Sequence, residues 1–133
     1  MGKRQAPLVL IVDDFEDNRE MYAQYLRFHG YEIAEADNGQ EALKQAAALH
    51  PDVIVMDLSL PGMDGWEATR RLKQEPLTRD IPVIALTGHA LTGSEHTARE
   101  AGCDTFLTKP CAPAVLGQEI RKMLPGRDPE KRS

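Results

Sequence analysis

Five polar side chains in this chain stand at the ends of apolar runs, and their types suit the transfer of a charged group. Asp13 and Asp14 follow Leu8-Val9-Leu10-Ile11-Val12, and Asp57 follows Val53-Ile54-Val55-Met56. Thr87 follows the run from Ile81 to Leu86, and Lys109 follows Thr105-Phe106-Leu107-Thr108. One Asp, Thr or Lys at such a place is ordinary surface chemistry. Three converging carboxylates are different, because like charges raise one another's pKa and cost stability unless something offsets them. A divalent cation is the simplest offset. Oxygen-only ligands suit magnesium, which takes one or two carboxylates and a phosphate oxygen while keeping several waters. With no His-Ser or Cys-His pair beside them, these residues fit phosphoryl transfer onto a carboxylate. Asp57 would be the nucleophile, magnesium would bridge phosphoryl oxygens, Lys109 would neutralise another and Thr87 would donate a hydrogen bond. The product would be an aspartyl phosphate.

The elements that must position these residues can be read from the same runs. Continuous apolar segments rich in β-branched residues and bounded by breakers are what strands buried on both faces look like. The runs ending at Val12, Asp57 and Leu86 have that character. Glu32-Ile33-Ala34-Glu35-Ala36 alternates polar and apolar, and Thr105–Thr108 is short, so both read as edge strands. Between Glu16 and His29, residues Met21, Tyr22, Tyr25, Leu26 and Phe28 recur at helical spacing behind an acidic first turn, and Gly30 supplies a left-handed stop. Asn38-Gly39 reads as a turn, and Gln40 to Leu49 as an Ala-rich helix ended by His50-Pro51. Asp64-x-x-Glu67 fits an N-cap with its capping-box partner for a helix running to about Glu75. Further helices are expected from about Ser94 to Ala101, closed by Gly102, and from Pro113 to Met123.

Strand and helix therefore alternate five times. Short connections in such a chain force a parallel sheet covered on both faces through right-handed crossovers. Strands one, three and four are the apolar ones, which selects the flavodoxin-like order 2-1-3-4-5 with two and five at the edges. The expected fold is a single-domain, doubly wound (βα)5 α/β sheet. Its topological switch lies between strands one and three, so Asp13, Asp14 and Asp57 meet in the crevice beyond the strands' carboxyl ends.

With 133 residues, 41% of them hydrophobic, the chain suits one domain and one core, here Pro7 to Leu124. Pro125 to Ser133 reads as a charged tail expected to be disordered. A net charge of -5 argues against a nucleic-acid surface and toward a protein or small-molecule partner. The thiols of Cys103 and Cys111 read as reduced, no run approaches the length of a membrane span, and no signal peptide is visible, so the expected location is the cytoplasm.

The ordered set of residues resembles the receiver domain of bacterial two-component response regulators, from Leu8 to Met123. It is carried by Asp13-Asp14, by Asp57 within M-D-L-S-L-P-G-M-D-G, by Thr87 in A-L-T-G-H-A, and by Lys109-Pro110. The resemblance implies that Asp57 is phosphorylated by a sensor histidine kinase or a histidine phosphotransfer protein. It implies that Asp14, Asp57 and the Ser59 carbonyl ligate magnesium while Asp13 assists through water. A cis peptide between Lys109 and Pro110 is also implied. In this family the residue at Thr87 moves toward the phosphoryl group and an aromatic, often Tyr and here Phe106, turns inward behind it. That movement reshapes the face made by the 94–101 helix, strand five and the last helix, which an unidentified downstream protein would read. Phe106 reads equally as a core side chain. Ser59 and His89 occupy positions that influence the phosphoryl lifetime in the family, although His89 also reads as an ordinary loop residue. Trp66 reads as a partly exposed packing residue.

Two other classes are weighed against this. A phosphatase that works through an aspartyl phosphate, like the haloacid dehalogenases, needs a second acid two residues after its nucleophile, and Ser59 stands there. Catalysis is therefore expected to stop at the chain's own phosphorylation and dephosphorylation. A nucleotide or flavin binder needs a Gly- or Ser/Thr-rich first loop, whereas Asp13-Asp14-Phe15-Glu16-Asp17 repels an anion unless a metal intervenes.

Overall fold

The computed structural model describes residues 6–58, 60, 62–63, 65–88 and 102–126. Five parallel strands form one sheet: β1 (Leu8–Val12), β2 (Glu32–Ala36), β3 (Val53–Asp57), β4 (Val83–Thr87) and β5 (Thr105–Thr108), in the order β2-β1-β3-β4-β5. Four helices are described: α1 (Glu16–Phe28), α2 (Gly39–Leu49), α3 (Gly65–Gln74) and α4 (Pro113–Met123). This is the flavodoxin-like order expected from burial. Every residue of β1, β3 and β4 is buried, while β2 and β5 are largely half-exposed. The expected helix near 94–101 lies outside the described residues, as do Ser59, Asp64, His89 and the tail beyond Gly126.

Successive strand residues point to opposite faces, and the core divides accordingly. Leu10, Val12, Ile54 and Met56 pack with Ala42 and Ala46 of α2 and with Ala68 and Leu72 of α3. Val9, Ile11, Val53 and Val55 pack on the other face with Tyr22 and Leu26 of α1 and with Leu116 and Ile120 of α4. The parallel register pairs Val12 with both Ala36 and Met56, so β1 and β3 finish almost level. Asp57 pairs with Leu86 and Thr87 with Thr108, so the other two chemical strands end on the same edge.

Local chemistry corrects three expectations. Met21 and Phe28 are not part of the buried face of α1; they are 42% and 84% exposed. Phe28 lies two positions past the buried Leu26, about 200° round a helix with 3.6 residues per turn. Asn38 is more than a turn residue, since its Oδ1 accepts the Glu41 N–H at 2.8 Å and caps α2. The fourth strand starts at Val83 rather than Ile81, because Pro82 has no N–H to give; its carbonyl still accepts the Ile54 N–H at 2.9 Å. Gly30 does stop α1, at φ 98°.

Candidate functional site

Four strands deliver their carboxyl-end residues to one edge of the sheet. Asp13, Asp14 and Asp57 each offer a carboxylate oxygen, and these atoms lie within 4.8 Å of one another. Asp13 and Asp57 are buried at 1% and 2% exposure, whereas Asp14 is exposed. Lys109 reaches in from the end of β5, its Nζ 3.0 Å from Asp57 Oδ2. Its backbone N–H donates to the Thr87 carbonyl at 2.7 Å, which ties the ends of β4 and β5 together. The buried Thr87 therefore shares the edge with Lys109. The Lys109–Pro110 peptide is cis, as the resemblance implied.

The electrostatics of Asp13 are the unusual part. Its Oδ1 accepts the Phe15 N–H at 2.9 Å, but its buried Oδ2 has no hydrogen-bond partner among the described residues. Burial pushes its pKa above the ordinary carboxylate value, the Phe15 N–H opposes that, and the nearby charge of Asp57 adds to it. A buried carboxylate oxygen without a donor, next to two further carboxylates, is suited to a hard cation. Without His or Cys in the trio, the donor set fits magnesium better than zinc or copper.

The site also has supports that residue patterns did not reveal. Gly65 begins α3 directly beneath β3, where an added Cβ would stand 2.6 Å from Leu58 Cα. Only a glycine allows the helix to pass this close to the strand end that carries Asp57. The sequence signal there was the Asp64-x-x-Glu67 capping pattern, which marks a helix start but not the close approach that requires Gly65. Arg19, on α1, donates from Nη1 to the Asp13 carbonyl at 2.8 Å, and nothing in its spacing announces that contact. Tyr22 donates its hydroxyl to the Cys111 carbonyl at 2.7 Å just beyond Pro110, and burial pushes its pKa up to about 12. The thiols of Cys103 and Cys111 are free, and burial raises both pKa values. Phe106 and Trp66 are half-buried against the core cluster between the sheet and helices α2 and α3.

Comparison with known proteins gives a consistent likeness. Residues 9–121 match the family model described as the response regulator receiver domain. The chain is 41% identical over 116 residues to the polar-differentiation response regulator DivK of Brucella ovis, covering 87% of this chain and 94% of that protein. The structure of chemotaxis protein CheY4 of Vibrio cholerae superposes with a TM-score of 0.85 at 29% identity, over 90% of this chain and 99% of that one. The receiver domain of sensor histidine kinase PA1611 from Pseudomonas aeruginosa PAO1, solved with a magnesium ion coordinated in its active site cleft, superposes with a TM-score of 0.82 at 32% identity, over 89% and 97% of the two chains. The family match runs from β1 into α4 and includes the strand ends where the carboxylates meet, and by it the chain belongs to the response regulator receiver domain family.

Proposed function

We propose that this receiver domain accepts a phosphoryl group on Asp57 from a histidine kinase or phosphotransfer protein, in a magnesium-dependent step, and passes the change to a protein target. The observation that carries the reading is the convergence of Asp13, Asp14 and Asp57 at the sheet's carboxyl end, with the Lys109 ammonium on Asp57. Asp14, Asp57 and the Ser59 carbonyl would hold magnesium, with Asp13 assisting through water. The ion, when bound, neutralises charge on the phosphoryl oxygens and lowers the repulsion between an incoming phosphate and the carboxylates.

The rest is work for the chain's own groups. An Asp57 carboxylate oxygen attacks phosphorus, a P–O bond forms, and the donor's imidazole leaves with the electron pair of the broken P–N bond. Lys109 stands 3.0 Å from the nucleophilic carboxylate and offsets the charge that develops beside it. Thr87 supplies a hydroxyl on the neighbouring strand end, and its shift toward the phosphoryl group would draw Phe106 inward. Phe106 is half-buried against the core, the position from which its ring would turn inward. The altered face would be β5 and α4, together with the helix expected near 94–101. Water then hydrolyses the acyl phosphate, so turnover is confined to the chain's own phosphoryl group.

The donor's seat also has support. A groove of about 760 Å³ runs beside α1 past Met21, Tyr25, Phe28 and Pro113, and Met21 also lines a smaller cavity of about 320 Å³ that reaches Lys109. Exposed apolar side chains set among Asp17 and Glu20, on a path that continues to Lys109, suit a helical protein donor, in a cytoplasmic setting. The test is intact mass after incubation with acetyl phosphate and magnesium. A gain of one phosphoryl group is expected, absent in Asp57→Asn and in metal-free protein; persistence of the gain in Asp57→Asn refutes the assignment.

A further inference from the structure

One guanidinium ties the acidic loop after β1 to β2. Arg19 Nη1 donates to the Asp13 carbonyl at 2.8 Å, and Arg19 Nε donates to Glu35 Oε1 at 2.9 Å. The arginine is largely covered, with 17% of its side chain exposed, and Glu35 is 29% exposed. Glu35 is itself fixed in the sheet, since it pairs with Ile11 in register and its carbonyl accepts the Gln45 amide at 2.8 Å. Asp13 N–H donates to the Ala36 carbonyl at 3.0 Å. Both backbone polar groups of Asp13 are therefore tied, one to β2 directly and the other to β2 and α1 through Arg19.

The carbonyl that Arg19 holds belongs to the peptide joining Asp13 to Asp14. Rotation of that peptide would swing the two side chains relative to each other and to Asp57. We propose that Arg19 is a positioning residue of the acidic site: by bridging the Asp13 carbonyl and Glu35, it sets the direction in which Asp13 and Asp14 present their carboxylates to magnesium. The proposal rests on the magnesium reading given above. Groups that orient metal ligands from behind commonly change metal affinity by about 10- to 100-fold when removed. A lysine cannot replace the fork, because its single ammonium is a point charge, whereas Nε and Nη1 of arginine address two separate acceptors at once.

Geometry and charge make opposite predictions here, which lets the test decide between them. A cation beside a cation site weakens metal binding by repulsion, so if Arg19 acted by charge, its removal would tighten magnesium binding. If it acts by position, removal weakens binding. The experiment is calorimetric titration of magnesium into folded wild type, Arg19→Met, Arg19→Lys and Glu35→Ala. Amide NMR shifts of Asp14 and Phe15 in the metal-free proteins provide a readout independent of the metal. Arg27→Met is the control, since Arg27 Nη2 lies 3.5 Å from the same Glu35 carboxylate.

The expected result is roughly tenfold weaker magnesium binding in Arg19→Met and Arg19→Lys alike. Glu35→Ala should be weakened several-fold, Arg27→Met should stay within about twofold, and the Asp14 amide should move only in the first three variants. Unchanged or tighter binding in Arg19→Met, or recovery of affinity in Arg19→Lys, overturns the positioning role. Should Arg19→Met fail to fold, Arg19→Lys carries the same decision, since it keeps the charge and loses the fork. A wild type that takes up no magnesium overturns the underlying reading and this proposal together, and is thereby distinguished from failure of the proposal alone.

Discussion

The two ends of this sheet use the same residue types in opposite ways. At the amino end, Asp52 Oδ2 accepts the Leu8 N–H at 2.8 Å, while Asp104 Oδ2 accepts the Val83 N–H at 2.8 Å and the Lys73 ammonium at 3.0 Å. Lys73 donates as well to the Ile81 carbonyl at 2.8 Å and the Arg79 carbonyl at 3.3 Å. Each charge there closes a gap in the backbone's hydrogen bonding. At the carboxyl end, three carboxylates crowd within 4.8 Å, Lys109 pairs with Asp57, and Asp13 Oδ2 finds no partner among the described residues. Charges that satisfy the backbone stabilise the fold, whereas charges left facing one another cost stability and wait for a ligand. An aspartate's role in this molecule is told by what its oxygens touch.

The comparison can be broken most severely at Lys73. Lys73→Ala leaves two carbonyls and Asp104 without their shared donor, and the expected loss is about 2 kcal/mol in urea denaturation. Magnesium affinity should be unchanged. Asp13→Asn should do the reverse. It removes a charge that burial and Asp57 both disfavour, so the metal-free protein should become more stable while magnesium binding falls at least about tenfold, equivalent to about 1.4 kcal/mol. The pH dependence follows from the direction of the shift. Folded Asp13 keeps its proton above the ordinary value of 3.8 at which the unfolded chain releases it. Its contribution is thus fully present below that value and is lost as pH rises through the folded pKa. Asp13→Asn should flatten that part of the stability curve, and a variant that keeps the slope would refute the attribution.

A smaller effect is expected at Tyr22, whose phenol stays protonated up to about 12 against an ordinary 10. Its contribution is present below pH 10 and fades as pH rises toward 12. Tyr22→Phe, which loses the hydrogen bond to the Cys111 carbonyl, should cost about 1 kcal/mol at neutral pH and should blunt alkaline unfolding. The smallest change in stability is expected at Phe28, which is 84% exposed. Phe28→Ser should shift stability by no more than about 0.5 kcal/mol. It should slow transfer from a helical protein donor and leave uptake from acetyl phosphate alone; equal slowing with both donors would remove α1 from the docking surface.

Much of this was legible in the residues because strand ends are. The continuous apolar runs fixed β1, β3 and β4 as central, and an ordered parallel sheet then forces the residues following those runs to share one edge. That is why Asp13, Asp14, Asp57, Thr87 and Lys109 could be grouped before any coordinates. What periodicity could not give was which apolar residues of a helix meet the sheet: Phe28 fits a helical pattern but lies on the far side from Leu26. Nor could it give contacts made by long side chains across elements. Arg19 reaches a carbonyl on the preceding loop and a carboxylate on β2, and Lys73 gathers three acceptors beneath the sheet. Such contacts depend on tertiary placement that no local spacing encodes.

The central claim is that the poorly satisfied end of the sheet is where a phosphoryl group lands, on Asp57 and with magnesium. The most direct measurement is borohydride reduction of protein treated with acetyl phosphate, followed by peptide mapping, because reduction converts an acyl phosphate at an aspartate into homoserine at that position. The account predicts homoserine at residue 57 alone and only when magnesium is present. Homoserine at position 13 or 14, or conversion at 57 that proceeds equally without magnesium, would contradict it.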